Sequence, residues 1–218
     1  MPKLALLDGH SLAYRAFYAL PSDLATPAGQ VTNAVFGFTS MLIKLLGDES
    51  PDALAVAWDL RGPTFRSERY PEYKAQRDKP PDLFASQLPL IREVLDVMRI
   101  NQVAVPGFEA DDVIATLATQ AKKEGWETVV VTGDRDAFQL AESAVTVLYT
   151  RRGISDTVEA TPGWIEERYG VTPSKYVEYA ALRGDKDPPL KHRLAGLLDL
   201  DTSRRIKSFS HGTKQKLA

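Results

Sequence analysis

The 218-residue chain contains no cysteine, so disulfides and thiolate-held metals are excluded. A reducing compartment, the cytoplasm, is the home that this usage suggests. Histidine is scarce too: His10 stands near the start, and His192 and His211 stand in the last stretch without partner ligands near them. No apolar run approaches the roughly 20 residues of a membrane-spanning helix. Met1-Pro2-Lys3 leads straight into Leu4-Ala5-Leu6-Leu7-Asp8, a run too short for a secretory signal and lacking a small-residue cleavage site. No Gly-x-x-x-x-Gly-Lys-Ser/Thr loop occurs, which excludes nucleotide hydrolysis of the phosphate-loop kind. There is no internal repeat and no low-complexity tract. What remains is an ordinary globular composition, 44% hydrophobic and 26% charged, long enough for one domain and an appendage.

The net charge of −2 conceals an uneven distribution. Residues 61–79 hold six Lys or Arg against three acids, and residues 109–136 hold seven acids against three bases. The first 185 residues carry −7 and the last 33 carry +5. A polyanion could be gripped by the first basic stretch while the acidic cluster performs another task.

Short apolar runs alternate with helical patterns. Strands are expected at 4–7, 53–58, 102–105, 127–132 and 145–149. Helices are expected at 33–46, 83–98, 109–123, 161–169 and 173–183. Continuous apolar strands separated by helices indicate an α/β fold with a mostly parallel sheet covered on both faces. Ligands on such sheets bind beyond the carboxyl ends of the strands. Asp187-Pro188-Pro189 breaks the last helix, and a boundary is expected near Asp185.

The strand ends carry acids. Asp8 follows the first strand, Asp59 the second, and Asp134 and Asp136 the fourth, while Glu109, Asp111 and Asp112 open the helix after the third. One such acid is ordinarily a turn residue or helix cap. Seven of them, on strands that all end at one edge of a parallel sheet, are expected to converge on one crevice. Carboxylates so crowded repel one another unless they take up protons or cations. All-oxygen donors favour Mg²⁺ or Mn²⁺ over zinc, and a pair of such ions is suited to phosphodiester hydrolysis.

Residues 61–79 interleave Phe65, Tyr70 and Tyr73 with Arg66, Arg69, Lys74 and Arg77. Bases on phosphates and aromatic faces on nucleobases hold single strands without sequence readout. A solvated segment with inward-packed aromatics has the same composition. Its place directly after Asp59, where it would overhang the crevice, favours the first reading.

The segments LLDGHSLAYRAFYALP (6–21), NAVFGFTSML (33–42), FRSERYPEYKAQRD (65–78), PGFEADDVIATLA (106–118), VVTGDRDAFQL (130–140) and YAALRGD (179–185) carry a resemblance. Over residues 1–185 the chain resembles the 5′-nuclease domain of bacterial DNA polymerase I and its stand-alone relatives, the flap endonucleases. The resemblance implies a PIN-like fold with a helical arch and two divalent ions. It implies a metal-dependent 5′-3′ exonuclease or flap endonuclease acting in the cytoplasm, with the nucleoid, on DNA bearing 5′ single-stranded flaps or ends. Asp8, Asp59, Glu109, Asp111, Asp112, Asp134 and Asp136 match the family's metal-site acids, with Asp185 as a further one, and Asp8 and Asp134 are expected to be catalytic. Tyr73, Lys74 and Arg77 match the arch, and Lys74 matches the lysine that approaches the scissile phosphate. Arg15 matches a further phosphate contact, and Arg66, Arg69 and Tyr70 complete the expected DNA-binding set.

The sequence also departs from the family. Lys186-Asp187-Pro188-Pro189 replaces the expected Pro-Ser-Asp-Asn, and no Gly-rich helix-hairpin-helix follows. The nuclease unit is therefore expected to be truncated, with a weakened second metal site and reduced activity. Residues 190–218 resemble the signature segment of an ABC-transporter ATPase, with Ser210-His211-Gly212-Thr213-Lys214-Gln215 where such proteins carry Ser-x-Gly-x-x-Gln. Residues 186–218 are thus expected to be an unrelated basic tail. Beside the active nuclease stand a catalytically impaired remnant that only binds single-stranded or flapped DNA, and a PIN-type ribonuclease. The long basic stretch speaks against the ribonuclease. A transporter subunit has only the tail in its favour.

Overall fold

The computed structural model describes residues 1–75, 79–152 and 155–183. Its strands are β1 (Lys3–Asp8), β2 (Ala53–Ala57), β3 (Asn101–Val103), β4 (Glu127–Thr132), β5 (Val145–Arg152) and β6 (Asp156–Ala160). They form one sheet in the order β3-β2-β1-β4-β5-β6. The first five run parallel, and β6 returns antiparallel beside β5. The helices are α1 (Gly9–Ala19), α2 (Asn33–Glu49), α3 (Phe65–Arg69), α4 (Asp82–Ala85), α5 (Leu88–Val97), α6 (Ala110–Lys123), α7 (Pro162–Tyr169) and α8 (Tyr176–Arg183).

Successive strand residues point to opposite faces, so the apolar runs feed two cores. Ala5, Leu7, Val129, Val131 and Leu148 pack with Leu12 and Ala16 of α1, Phe38 and Leu42 of α2, and Ile91 and Leu95 of α5. On the other face Leu6, Val130 and Val147 meet Val113 and Ile114 of α6, Ile165 of α7 and Tyr176 of α8. This is the α/β arrangement expected from the apolar runs.

Three local features differ from the sequence reading. Residues 9–19 form a helix whose first turn is capped by Asp8, which accepts from Ser11 N at 3.0 Å. The antiparallel β6 is half exposed and too polar to read as a buried strand. The helix expected over 83–98 divides into α4 and α5. Pro89, in the first turn of α5, has no N–H to continue the ladder from α4. The break turns Gln87 inward, where it is fully buried. Its Oε1 accepts from Ala34 N at 2.8 Å, and its Nε2 donates to Asn33 Oδ1 at 3.0 Å and Leu83 O at 2.9 Å. Asn33 in turn donates to Phe17 O and Leu20 O. One buried amide pair thus ties the end of α1 to the starts of α2 and α5. No periodicity announces such a pair.

The two glycines of α2 make a controlled comparison. A Cβ on Gly37 would lie 2.8 Å from Ala16 Cβ and 3.2 Å from Ala16 Cα, where α1 and α2 touch; a Cβ on Gly47 meets nothing. Gly37→Ala is expected to destabilise the fold by about 1–3 kcal/mol through overpacking. Gly47→Ala is expected to stabilise it by about 0.5–1 kcal/mol. Equilibrium urea unfolding of the two variants measures both signs.

Candidate active site

β2, β1 and β4 are the central strands, and all three end at the same edge. Asp8 closes β1, Asp59 lies two residues past β2, and Asp134 lies two past β4. The connection from β3 brings Glu109 to the N-cap of α6, with Asp111 in its first turn. A cleft of about 640 Å³ opens there, lined by Asp8, Asp59, Glu109, Asp111, Asp134 and Asp136 together with Lys74. Six of the seven expected acids therefore share one cleft.

Most of these carboxylates are held by fixed donors. Asp8 is buried, accepting from Ser11 N and, at 2.8 Å, from the Thr132 hydroxyl. The same hydroxyl oxygen accepts from Asp134 N at 3.0 Å, so Thr132 joins two acids. Asp134 caps the following 3₁₀ turn (Arg135–Leu140) by accepting from Asp136 N. Asp59 accepts from Ala110 N at 2.7 Å, which anchors the start of α6 to β2. Asp59 N donates to His10 Nδ1 at 3.3 Å.

The basic segment reaches into the cleft. Lys74, in the left-handed backbone region at φ 57°, donates from Nζ to Glu109 Oε1 at 2.8 Å. Tyr73 donates its hydroxyl to Glu109 Oε2 at 3.1 Å. Arg66 grips Asp112 through both terminal nitrogens at 2.6 and 2.7 Å and lies 3.8 Å from Glu109. That fork holds the Asp112 carboxyl below the ordinary carboxylate range, and the pair holds Arg66 firmly protonated. Among the described residues Asp8 has no cation of this kind. Burial first, then the charges of Asp111 and Asp59, push its carboxyl up to about 7, against the opposing hydrogen bonds from Ser11 and Thr132.

Several sequence expectations are redistributed. Asp112, expected in the crevice, is not among the cleft-lining residues; it closes a capping box with Glu109 and binds Arg66. Arg66, expected on DNA, is occupied by that pair. Arg15, also expected on phosphate, donates to Arg151 O at 2.6 Å and Thr150 O at 2.9 Å, which fastens α1 to β5. Arg69 lies over the Phe65 ring at 5.9 Å, and Tyr70 sits at the end of α3. Lys74 lines the cleft, and Tyr73 reaches it through its bond to Glu109. Arg77, Asp185 and residues 186–218 lie outside the described residues. The sequence reading passed over Ser11, Thr132, Tyr149 and Tyr176, and Ser11, Tyr149 and Tyr176 line the cleft. Thr132 was legible in principle, as the one hydroxyl between an apolar strand and Gly133-Asp134.

The acidic donors in the cleft are carboxylate oxygens, and among the described residues Asp8 is a buried acid with no ion-pair partner. Both features fit hard divalent cations. Among the described residues, however, no three acidic or imidazole side chains are drawn together closely enough to chelate one ion. The reason is visible in the bonds above. Backbone N–H groups and hydroxyls hold Asp8, Asp59 and Asp134, and Lys74 holds Glu109. Asp8, Asp59, Asp111 and Asp134 are the acids from which an ion could be held.

A family model, the 5′-3′ exonuclease N-terminal resolvase-like domain, matches residues 3–170. The chain belongs to that family. DNA polymerase I of Mycobacterium bovis is 57% identical over 185 residues, covering 84% of this chain and 20% of the relative. DNA polymerase I of Bacillus subtilis is 46% identical over 183 residues, covering 84% and 21%. The chain thus spans about a fifth of the length of these relatives. A solved bacteriophage T5 flap endonuclease, in a pseudo-enzyme-product complex with DNA and metal ions, superposes with a TM-score of 0.66 at 18% identity. That match covers 99% of this chain and 73% of the phage protein, and it is a likeness of fold. The comparisons give no support to the transporter resemblance of residues 190–218.

Asp8 makes a prediction about pH. The unfolded chain titrates this carboxyl at its ordinary value of 3.8, and the folded protein at about 7. The folded state therefore binds the proton more tightly. Stability is fullest below about pH 4 and is lost as pH rises towards 7. In chelator-containing buffer Asp8→Asn is expected to raise the melting temperature at pH 8, with the gap closing towards pH 4. A gap that is absent or independent of pH would show that Asp8 is not the buried, unneutralised acid described.

Proposed function

We propose that this chain is a divalent-metal-dependent, structure-selective 5′ nuclease that hydrolyses DNA phosphodiesters near 5′ ends and flaps. The observation that carries this reading is the cleft: six carboxylates from four places in the chain meet at one sheet edge, beneath a basic, aromatic segment. Mg²⁺ or Mn²⁺ is the cofactor we assign, since the donors are oxygens alone. When bound, such ions supply hydroxide from water near neutral pH and steady a leaving oxygen. The chain's own part is positional. Asp8 ends β1, Asp134 lies just past the adjacent β4, and Thr132 bonds to both, so the two are held as a pair. Lys74 stands at the rim with its ammonium 2.8 Å from Glu109, placed to meet a phosphate entering the cleft. The membership in the 5′-3′ exonuclease family and the DNA and metal ions of the phage relative support the reading. We take residues 1–185 as the nuclease unit and residues 186–218 as a separate tail. DNA in the cytoplasm is the substrate we infer.

A 5′-labelled flap incubated with Mn²⁺ tests this. The wild type is expected to release a labelled fragment, and chelator to stop it. Asp134→Ala is expected to slow release by roughly 10²–10⁴-fold, equivalent to about 3–5 kcal/mol of transition-state stabilisation. Binding without release in either protein would reduce the chain to a DNA-binding remnant. Faster cutting of an RNA substrate would make it a ribonuclease.

A further inference from the structure

A second groove, of about 560 Å³, lies on the α1 and α2 face of the sheet. Its floor and inner wall are Leu7, Val131 and Leu148 of the strands and Phe38, Leu42 and Leu45 of α2. None of these is more than 8% exposed, so the walls are packed and preformed. The outer wall is β6. Thr157 and Glu159 pair opposite Thr150 and Leu148, which puts all of these side chains on one face. Thr157 and Glu159 are exposed, so α2 stops short of β6 and leaves a trough between them.

Two polar groups in this trough stand uncompensated. Thr150 is 2% exposed, yet its hydroxyl has no hydrogen-bond partner among the described residues. A buried hydroxyl left in that state is costly, and a bound group that met it would remove the cost. Glu159 also lines the trough and forms no salt bridge among the described residues. The other acids at the mouth are taken, Asp48 by Lys44 and Glu49 by Lys3. The open charge of the trough is therefore negative. The hydroxyl and the carboxylate are borne one strand and two residues apart, about 8 Å between Cα atoms at ordinary strand spacing.

We propose that this trough binds a small organic cation, with an aryl or alkyl body on the apolar floor, an ammonium at Glu159 and a hydroxyl at Thr150. Its volume is that of a small-molecule site, and an apolar lining with a few placed polar groups is the usual make-up of one. The carboxylate at the mouth selects against anionic amphiphiles of the same size. The trough shares no lining residue with the acidic cleft, so the inference stands apart from the nuclease reading.

Tyramine carries both polar groups at the ends of one ring and serves as the probe. Phenethylamine lacks its hydroxyl, para-ethylphenol lacks its ammonium, and para-hydroxyphenylpropanoate reverses its charge. Each is titrated into the methyl-labelled full chain and followed by NMR. Saturable shifts of the Met41, Leu42 and Leu148 methyl signals are expected, with tyramine binding most tightly. Loss of the ammonium is expected to weaken binding roughly threefold, the scale of one exposed ion pair. Loss of the hydroxyl is expected to weaken it roughly fivefold, the scale of one hydrogen bond. Glu159→Gln is expected to erase the first difference and keep the second, and Thr150→Val to do the reverse. Thr157→Trp is expected to close the trough to every probe. Thr157 and Glu159 are exposed, so these two variants keep the fold whatever Thr150→Val does to it. The proposal is overturned if no saturable shift reaches these methyls. It is overturned equally if the propanoate binds as tightly as tyramine, or if Glu159→Gln leaves the order of the probes unchanged.

Discussion

Like-charged side chains gathered at one edge of a sheet repel each other, and this fold gathers them nonetheless. What overcomes the repulsion is the rigidity of the parallel ladder. β2, β1 and β4 lie in register, so the residues that follow them emerge together. Fixed dipoles then take up part of the charge: the Ser11, Ala110 and Asp136 amides and the Thr132 hydroxyl each point at an acid. The remainder is settled in two ways. Glu109 and Asp112 borrow cations from the segment overhead, and Asp8 takes up a proton more readily than an ordinary carboxyl. Repulsion of this size falls off with distance and dielectric, so it is strongest where Asp8 is buried.

This division explains which parts of the site were legible in the sequence. One acid just past an apolar run is no more than a turn or cap, but its recurrence after several strands of one sheet marks an edge. The convergence of Asp8, Asp59, Asp111, Asp134 and Asp136 was readable on that ground, and the alternation of runs and helices disclosed the sheet. Asp112 was not separable from its neighbours. Its role depends on Arg66, 46 residues earlier in the chain, reaching across to it. The partners of Arg15 were hidden for the same reason, since they are carbonyls of β5. The Gln87–Asn33 pair and the second groove are likewise properties of distant segments meeting. Periodicity and local spacing report which face a residue occupies, and they are silent on which partner it finds there.

The basic segment illustrates the limit most clearly. As a string it mixes aromatics with cations and reads as one DNA-binding unit. In the fold its members divide. Tyr73 and Lys74 turn to Glu109, Arg66 turns to Asp112, and Arg61 lines a groove beside the cleft. The left-handed backbone at Lys74 lets the ammonium come down on the cleft, a conformation that a side chain with a Cβ adopts only when the surroundings hold it. The strain is local to the residue that meets the acids, which is where an interchangeable cation is most useful.

A phosphate entering an acidic cleft meets repulsion before it meets anything favourable. Binding energy must then come from elsewhere on the surface. If all of it came from the cleft, the affinity of the ground state and the stabilisation of the reacting phosphate would draw on the same few groups, and holding substrate tightly would add nothing to the rate. The geometry separates the two tasks. Among the described residues, Arg61 and Arg92, which form no salt bridge, and the exposed Phe108 ring lie to one side, in a groove that shares His10 and Asp59 with the cleft. The acids stay with the cleft, where Lys74 is held on Glu109.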